Sequence, residues 1–198
     1  PGEDDIATVT IIANQLVTAV ELYSAPTKRD SARLKVGNAY EQMLKASAAG
    51  SDHQLQFARN FTSFAASAEH NDLIKELLDG KLSGLKVDAD LRWTFVIALA
   101  ERGLMDKAAL SAELLKDNTL TGQLSHATAL AALPTADAKS ETWKSITTEE
   151  ISTSQREAKL AGFMRALHRP LLYAYVDPYF DLLLDTWGKK SYEVASKF

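Results

Sequence analysis

Apolar residues recur along this chain at three- and four-residue intervals, broken at proline, glycine and short polar clusters, and that period predicts helices from end to end. Ile6, Val9, Ala13, Leu16, Val17 and Val20 mark a first helix from Asp5 to Ser24. Ala25-Pro26 closes it, because the residue before proline is driven out of the helical region. Thr27 is placed to cap a second helix, which carries Ala32, Val36, Ala39, Tyr40 and Met43 and runs to about Ala49, where Gly50 stops it. Ser51 with Gln54 forms a capping box for a third, whose Phe57, Phe61 and Phe64 make a core-facing stripe. Leu73, Ile74, Leu77 and Leu78 define a short fourth helix, ended by Asp79-Gly80.

After a loop over 81–87 the pattern changes. From Leu91 to Ala100 only Arg92 and Thr94 are polar, and a helix apolar on nearly every face must be covered on nearly every face. Asp88 caps this central helix and Arg102-Gly103 ends it. Met105 to Lys116 follows, with Ala108, Ala109, Ala112 and Leu115 expected inward. Thr121 to Leu133 and Thr135 to Ile146 are separated by Pro134. Setting Ala98-Leu99-Ala100 beside Ala129-Leu130-Ala131 gives an offset of about 31 residues, the length of one helix–turn–helix repeat. The next helix, from Glu149 to about Leu167, opens on Thr147 with Glu150 or on Ser152 with Gln155. A break at His168-Arg169-Pro170 is expected, and Asp177-Pro178 interrupts or kinks the helix that resumes at Leu171. Gly188 stops that helix, and Ser191 to Lys197 forms a last short one. The fold class is all-α: a superhelical array of antiparallel helix pairs, HEAT- or armadillo-like, making one helical-repeat domain over residues 1–198.

Composition narrows the function. With 46% hydrophobic and 24% charged residues, the chain matches an ordinary soluble globular protein. The net charge of −4 and the lack of a basic face argue against a nucleic-acid partner. Cysteine is absent, which excludes disulfide and thiolate chemistry and fits a cytoplasmic location. No run of about 18 apolar residues is found, so no segment is expected to span a membrane and no membrane partner is expected. Pro1-Gly2, followed by Glu3-Asp4-Asp5, reads as the interior of a longer chain cut at a linker.

Candidate chemistry is sparse. His53, His70, His126 and His168 are not spaced three or four apart, so the zinc-protease pattern H-E-x-x-H does not occur; they read as surface or cap histidines. The carboxylate clusters Glu3-Asp4-Asp5 and Glu149-Glu150 fall where helix starts are expected. Asp88 and Asp90 read as a cap and a first-turn acid rather than a cation site. Neither a G-x-S-x-G elbow nor a glycine-rich phosphate cradle is present. Arg92, at the start of a buried helix, needs a carboxylate or carbonyl partner, so it either braces the hairpin or contacts a ligand. Trp93 and Trp143 read as core anchors, while Arg165, His168 and Arg169 gather at a helix end, able to meet a peptide carboxylate or simply solvated there.

Three stretches carry a family resemblance. The first is Leu77-Leu78-Asp79-Gly80 with Gly84-Leu85-Lys86-Val87-Asp88-Ala89-Asp90-Leu91-Arg92-Trp93, then Leu99 and Gly103. The second is Ala132-Leu133-Pro134-Thr135-Ala136-Asp137-Ala138-Lys139 with Trp143. The third runs through Gln155-Arg156, Gly162-Phe163, Tyr175-Val176-Asp177-Pro178-Tyr179-Phe180 and Trp187. From about residue 70 onward the chain resembles the C-terminal helical domain of bacterial, actinobacterial-like aminopeptidase N, in the zinc aminopeptidase family that includes the endoplasmic-reticulum aminopeptidases. The first seventy residues stay open to assignment as a separate subdomain. The resemblance implies a bowl of helical hairpins that closes over a catalytic domain of the same chain and helps bind the far end of a peptide substrate. It implies zinc in that catalytic domain and none here, with catalysis by the parent and not by these residues alone. Arg92 and Arg165 are the expected substrate contacts. A stand-alone helical-repeat scaffold that binds another protein is the alternative, and an independent helical enzyme is a third reading.

Overall fold

The computed structural model describes residues 5–189 and 192–196, apart from the side chains of Ala166, His168, Glu193 and Val194. Helix follows helix, and no strand occurs among the described residues. The chain divides between Leu99 and Ala100 into two compact units.

The first unit opens with α1, Ile6–Thr18, capped by Asp5, whose carboxylate accepts from the Thr8 N–H at 2.7 Å. The Thr8 hydroxyl, and after it that backbone bond, hold the Asp5 carboxyl below its ordinary pKa. The predicted single helix to Ser24 instead widens into a π-turn, Ala19–Tyr23, with the Ser24 N–H reaching the Ala19 carbonyl five residues back. The turn contains Glu21, which is buried and takes a two-pronged contact from Arg33, Nε to Oε1 at 2.6 Å and Nη2 to Oε2 at 2.7 Å. Ile6–Tyr23 is long and apolar enough to cross a membrane by length and composition, so the expectation of no such segment fails. Its buried carboxylate, locked onto an arginine of the next helix, argues for a protein-packed role.

Helix α2, Pro26–Ala46, starts with Pro26 in its first turn and Ala25 at the cap, not with a Thr27 cap. Proline serves there because that N–H has no intrahelical partner to lose. Helix α3, Asp52–Phe64, packs on α2 and buries Phe61 and Phe64, with Tyr40 stacked on Phe64 at 5.5 Å. Each of these rings contributes about 1.5–3 kcal/mol by leaving water. Burial also pushes the Tyr40 phenol above its ordinary pKa. The capping box is half realised: Ser51 Oγ accepts from the Gln54 N–H at 3.2 Å, but Gln54 Oε1 accepts from Gly50 N–H at 2.9 Å rather than from Ser51. Gln54 Nε2 donates to Ser83 O at 3.0 Å, which staples the 81–87 loop onto the turn between α2 and α3. Gly84 completes that staple. Its φ is +81°, and a Cβ there would sit 2.4 Å from Gly50 N, so only glycine fits.

Helix α4, Ala68–Leu78, is capped by Ser67. Helix α5, Ala89–Glu101, is the central helix expected from sequence, and Asp88 Oδ1 accepts from the Leu91 N–H at 2.8 Å as its cap. Leu91, Trp93, Phe95, Val96, Ala98, Leu99 and Ala100 are all buried, so the apolar-all-round pattern means what it implies. Asp90 pairs with Arg59 at 2.6 Å, the surface role assigned to a first-turn acid. Replacing Asp88 with alanine orphans a first-turn donor and should cost about 1 kcal/mol, read as a lower urea midpoint at unchanged slope.

In the second unit, α6, Lys107–Lys116, corrects the predicted inward face. Leu110 and Glu113 are buried, whereas Ala108 and Ala112 are exposed and Leu115 is 84% exposed. Alanine faces gain little by burial, so the one leucine with a full contact shell sets the rotation of the helix. Helix α7, Leu120–Ala132, presents the buried Ala129, Ala131 and Ala132. Helix α8, Ala136–Thr148, is capped by Thr135 and ends at Glu149, so the Glu149-Glu150 pair closes a helix instead of opening one. Glu149 accepts from Ser145 Oγ at 2.6 Å, and Lys159 Nζ also bonds Ser145 Oγ.

Helix α9, Thr153–Phe163, uses the Ser152 cap, the second of the two predicted starts, and packs closely on α7. It stops at Met164, short of the predicted Leu167. The expected break at His168-Arg169-Pro170 is instead a continuous 3-10 stretch, Ala166–Tyr175, with Pro170 inside it. Helix α10, Val176–Lys189, starts directly after, and Pro178 lies in its first turn, where a missing N–H breaks nothing. Gly188 is the residue before its end. Helix α11, Tyr192–Ala195, lies within the predicted last helix; Ser191 and Lys197 are outside the described residues.

Candidate functional site

Charge concentrates in one place within the second unit. Lys139, in the first turn of α8, is only 1% exposed. Its ammonium donates to Ala131 O at 2.6 Å, Phe163 O at 3.2 Å and Gly162 O at 3.4 Å. These carbonyls belong to the last turns of α7 and α9, the negative ends of two helix dipoles. The Phe163 ring adds a cation–π contact at 5.6 Å. Burial pulls the lysine pKa down from 10.5 to about 8, with Glu101 opposing that change and Arg165 adding to it.

Glu101, at the end of α5 and buried, sits between two guanidiniums: Arg102 Nη1 is 3.9 Å from its Oε2 and Arg165 Nη1 is 3.8 Å from the same oxygen. Both distances exceed hydrogen-bond range, so these are loose ion pairs. Arg165 is 37% exposed and its buried Nε lacks a hydrogen-bond partner among the described residues. Its guanidinium lies beside a carboxylate and a buried ammonium. Arg92 belongs to the first unit, where its Nη1 donates to Leu78 O at 3.3 Å, in the last carbonyl turn of α4. That contact has the bracing geometry expected of an arginine entering a buried helix. Lys139, Gly162 and Phe163 all fall in the stretches that carry the family resemblance, but nothing local marks Lys139 as buried, because a lysine one turn into a helix normally faces water.

The histidines do not converge. His70 is buried, contrary to its expected surface or cap role: its Nδ1 accepts from the Ala66 N–H at 3.1 Å, so the proton sits on Nε2, which donates to Asn38 Oδ1 at 2.9 Å. His53 packs on Phe57, and His126 on α7 has its pKa lowered by burial. The His168 side chain is outside the described residues. No group of three or more His, Asp or Glu among the described residues is arranged to hold a metal ion, so zinc does not fit the donors present.

Both units are helical throughout their regular structure among the described residues, which makes this an all-α protein, and its relatives give it a family. The chain belongs to the ERAP1-like C-terminal domain family, whose model matches residues 1–198 and so takes in the first seventy residues as well. It is similar to the Aminopeptidase N of Streptomyces lividans, with 40% identity over an aligned length of 198 that covers 98% of this chain and 23% of that protein. The chain therefore spans less than a quarter of the length of the curated relative it matches, and it is a C-terminal domain of the aminopeptidase N type.

Proposed function

We propose that this chain is the non-catalytic C-terminal domain of a cytoplasmic, zinc-dependent aminopeptidase N, capping a catalytic domain of the same polypeptide and helping to admit and bind peptides. The 40% identity that runs through 98% of this chain and only 23% of the relative carries the reading. The zinc belongs, on this reading, to the catalytic domain, since no donor set among the described residues suits it. The domain's own work is then to exclude water and oversized substrates, which strengthens electrostatics at a closed site and orders the peptide.

Of the two arginines expected to touch substrate, Arg165 has the better chemistry, with a part-exposed guanidinium whose Nη1 is held only loosely by Glu101. A peptide carboxylate would pair with the exposed part of that guanidinium in place of its loose contact to Glu101. In the protein as encoded, Arg165→Ala should raise KM for longer peptides about tenfold and leave kcat on an aminoacyl-nitroanilide unchanged. Arg92→Ala should instead lower the unfolding midpoint without touching KM, because its partner is a helix end. Turnover of the nitroanilide by these 198 residues alone, or a reading frame upstream of Pro1 without H-E-x-x-H, would defeat the proposal.

A further inference from the structure

Helix α10 carries more apolar arc than the second unit covers. At roughly 100° per residue, Tyr179, Leu182, Leu183 and Thr186 share one side of the helix, and these are half-buried. The next sector, about 80° wide, holds Val176, Phe180, Leu184 and Trp187. These four are 46%, 63%, 84% and 48% exposed. The sector after that holds Asp177, Asp181 and Asp185, all exposed. Only Asp185 makes an ion pair among the described residues, to Lys189 at 2.6 Å. An uncovered apolar stripe thus runs beside a ridge of carboxylates one turn apart.

The stripe opens onto a groove of about 390 Å³ lined by Trp143, Leu160, Phe163 and Tyr175, with Val176 and Phe180 shared between groove and stripe. Four large apolar side chains at spacings of four, four and three form the counterpart of an amphipathic helix's anchor row. The acidic ridge selects among occupants. A second copy docked stripe to stripe brings carboxylates against carboxylates, and an anionic lipid surface is repelled.

The geometry points to a docking surface for a basic amphipathic helix, one that sets large apolar anchors on Val176, Phe180, Leu184 and Trp187 and lays lysine or arginine along Asp177 and Asp181. This surface is independent of the peptide-admitting role above and uses neither Arg92 nor Arg165.

The test uses the protein as encoded, with any flanking sequence in place, and two dye-labelled peptides of about 18 residues, long enough to form a helix. One is built from leucine and lysine, and the other has glutamate for every lysine. Fluorescence anisotropy should show the lysine peptide binding about tenfold more tightly, with the gap closing as salt is raised. Leu184→Lys, at an outward position that leaves the fold intact by circular dichroism, should weaken the lysine peptide about tenfold. The double change Asp177→Asn with Asp181→Asn should flatten the salt dependence while the Leu184 contact persists. Equal affinity for the two peptides, insensitivity to Leu184→Lys, or no binding would overturn the proposal. Self-association abolished by Leu184→Lys would overturn it too, by assigning the stripe to a second copy.

Discussion

Replacing Lys139 with methionine should destabilise the protein by about 3 kcal/mol, although the substitution keeps most of the stem and removes a buried charge. The two effects oppose each other. Burying an ammonium costs free energy, and methionine escapes that cost. Against it stand three carbonyls at the ends of α7 and α9, which the ammonium reaches at 2.6, 3.2 and 3.4 Å. An unsatisfied buried carbonyl costs about 1–3 kcal/mol. The Gly162 carbonyl also receives the Arg165 N–H at 3.4 Å, so it is not orphaned outright, but Ala131 O loses its closest donor. The carbonyls win. Urea denaturation of the two proteins at neutral pH measures the difference, and an equal or raised midpoint for the methionine variant would show that the ammonium is tolerated rather than needed.

The same lysine gives that difference a pH dependence. Its folded-state pKa, about 8, lies below the ordinary 10.5, so the folded protein releases this proton first. Over that window the unfolded chain binds more protons than the folded one, and stability rises with pH. Below about 8 both states are protonated and the contribution is flat; by 10.5 the gain is nearly complete. The gap between wild type and Lys139→Met should therefore widen by roughly 3 kcal/mol from pH 8 to 10.5, because each pH unit between the two pKa values is worth about 1.4 kcal/mol. Measuring the gap, not the wild type alone, cancels the alkaline titration of tyrosines and surface lysines common to both. A gap that narrows with pH would mean that the carbonyl seat raises the lysine pKa instead of burial lowering it.

What could be read from sequence is what local chemistry determines. Asp88, Ser51 and Ser152 each cap the helix they stand before, because a cap needs only its own side chain and an N–H three residues on. The central helix is legible because uniform apolarity leaves it no exposed face. The family is legible through its motif residues, although the match extends over the first two helices, where those residues are thinnest. The failures are nonlocal. Glu21 and Arg33 meet across twelve positions, and the π-turn that presents Glu21 has no sequence signal of its own. Lys139 finds acceptors 8, 23 and 24 residues away. Arg92 and Arg165 look alike as lone arginines near helix ends, and only the fold gives them different neighbours, the Leu78 carbonyl for one and the Glu101 carboxylate for the other. On α6, alanines at helical spacing mimic a core stripe, and the one buried leucine decides otherwise.

Gly162→Ala should cost about 3 kcal/mol even though alanine is the better helix former. On propensity alone, the change within α9 favours the variant by about 1 kcal/mol. The surroundings reverse the sign. A Cβ at 162 would stand 2.1 Å from Thr128 O, 2.8 Å from Ala131 Cβ and 3.0 Å from Ala132 N, and two of these are backbone atoms that move only with α7 itself. Separating the helices stretches the Thr128 Oγ1 bond to Ala158 O, now 2.9 Å, and draws the Gly162 and Phe163 carbonyls away from Lys139. Gly162→Ala and Lys139→Met therefore damage the same contact, and together they should cost less than the sum of their separate effects. Gly188, inside α10 with nothing within 4 Å of its missing Cβ, supplies the opposite case: alanine there should raise the urea midpoint slightly. Two glycine-to-alanine changes in helices of one protein should thus shift the midpoint in opposite directions. If both stabilise, the α7–α9 contact is looser than described, and the three-carbonyl seat of Lys139 loosens with it.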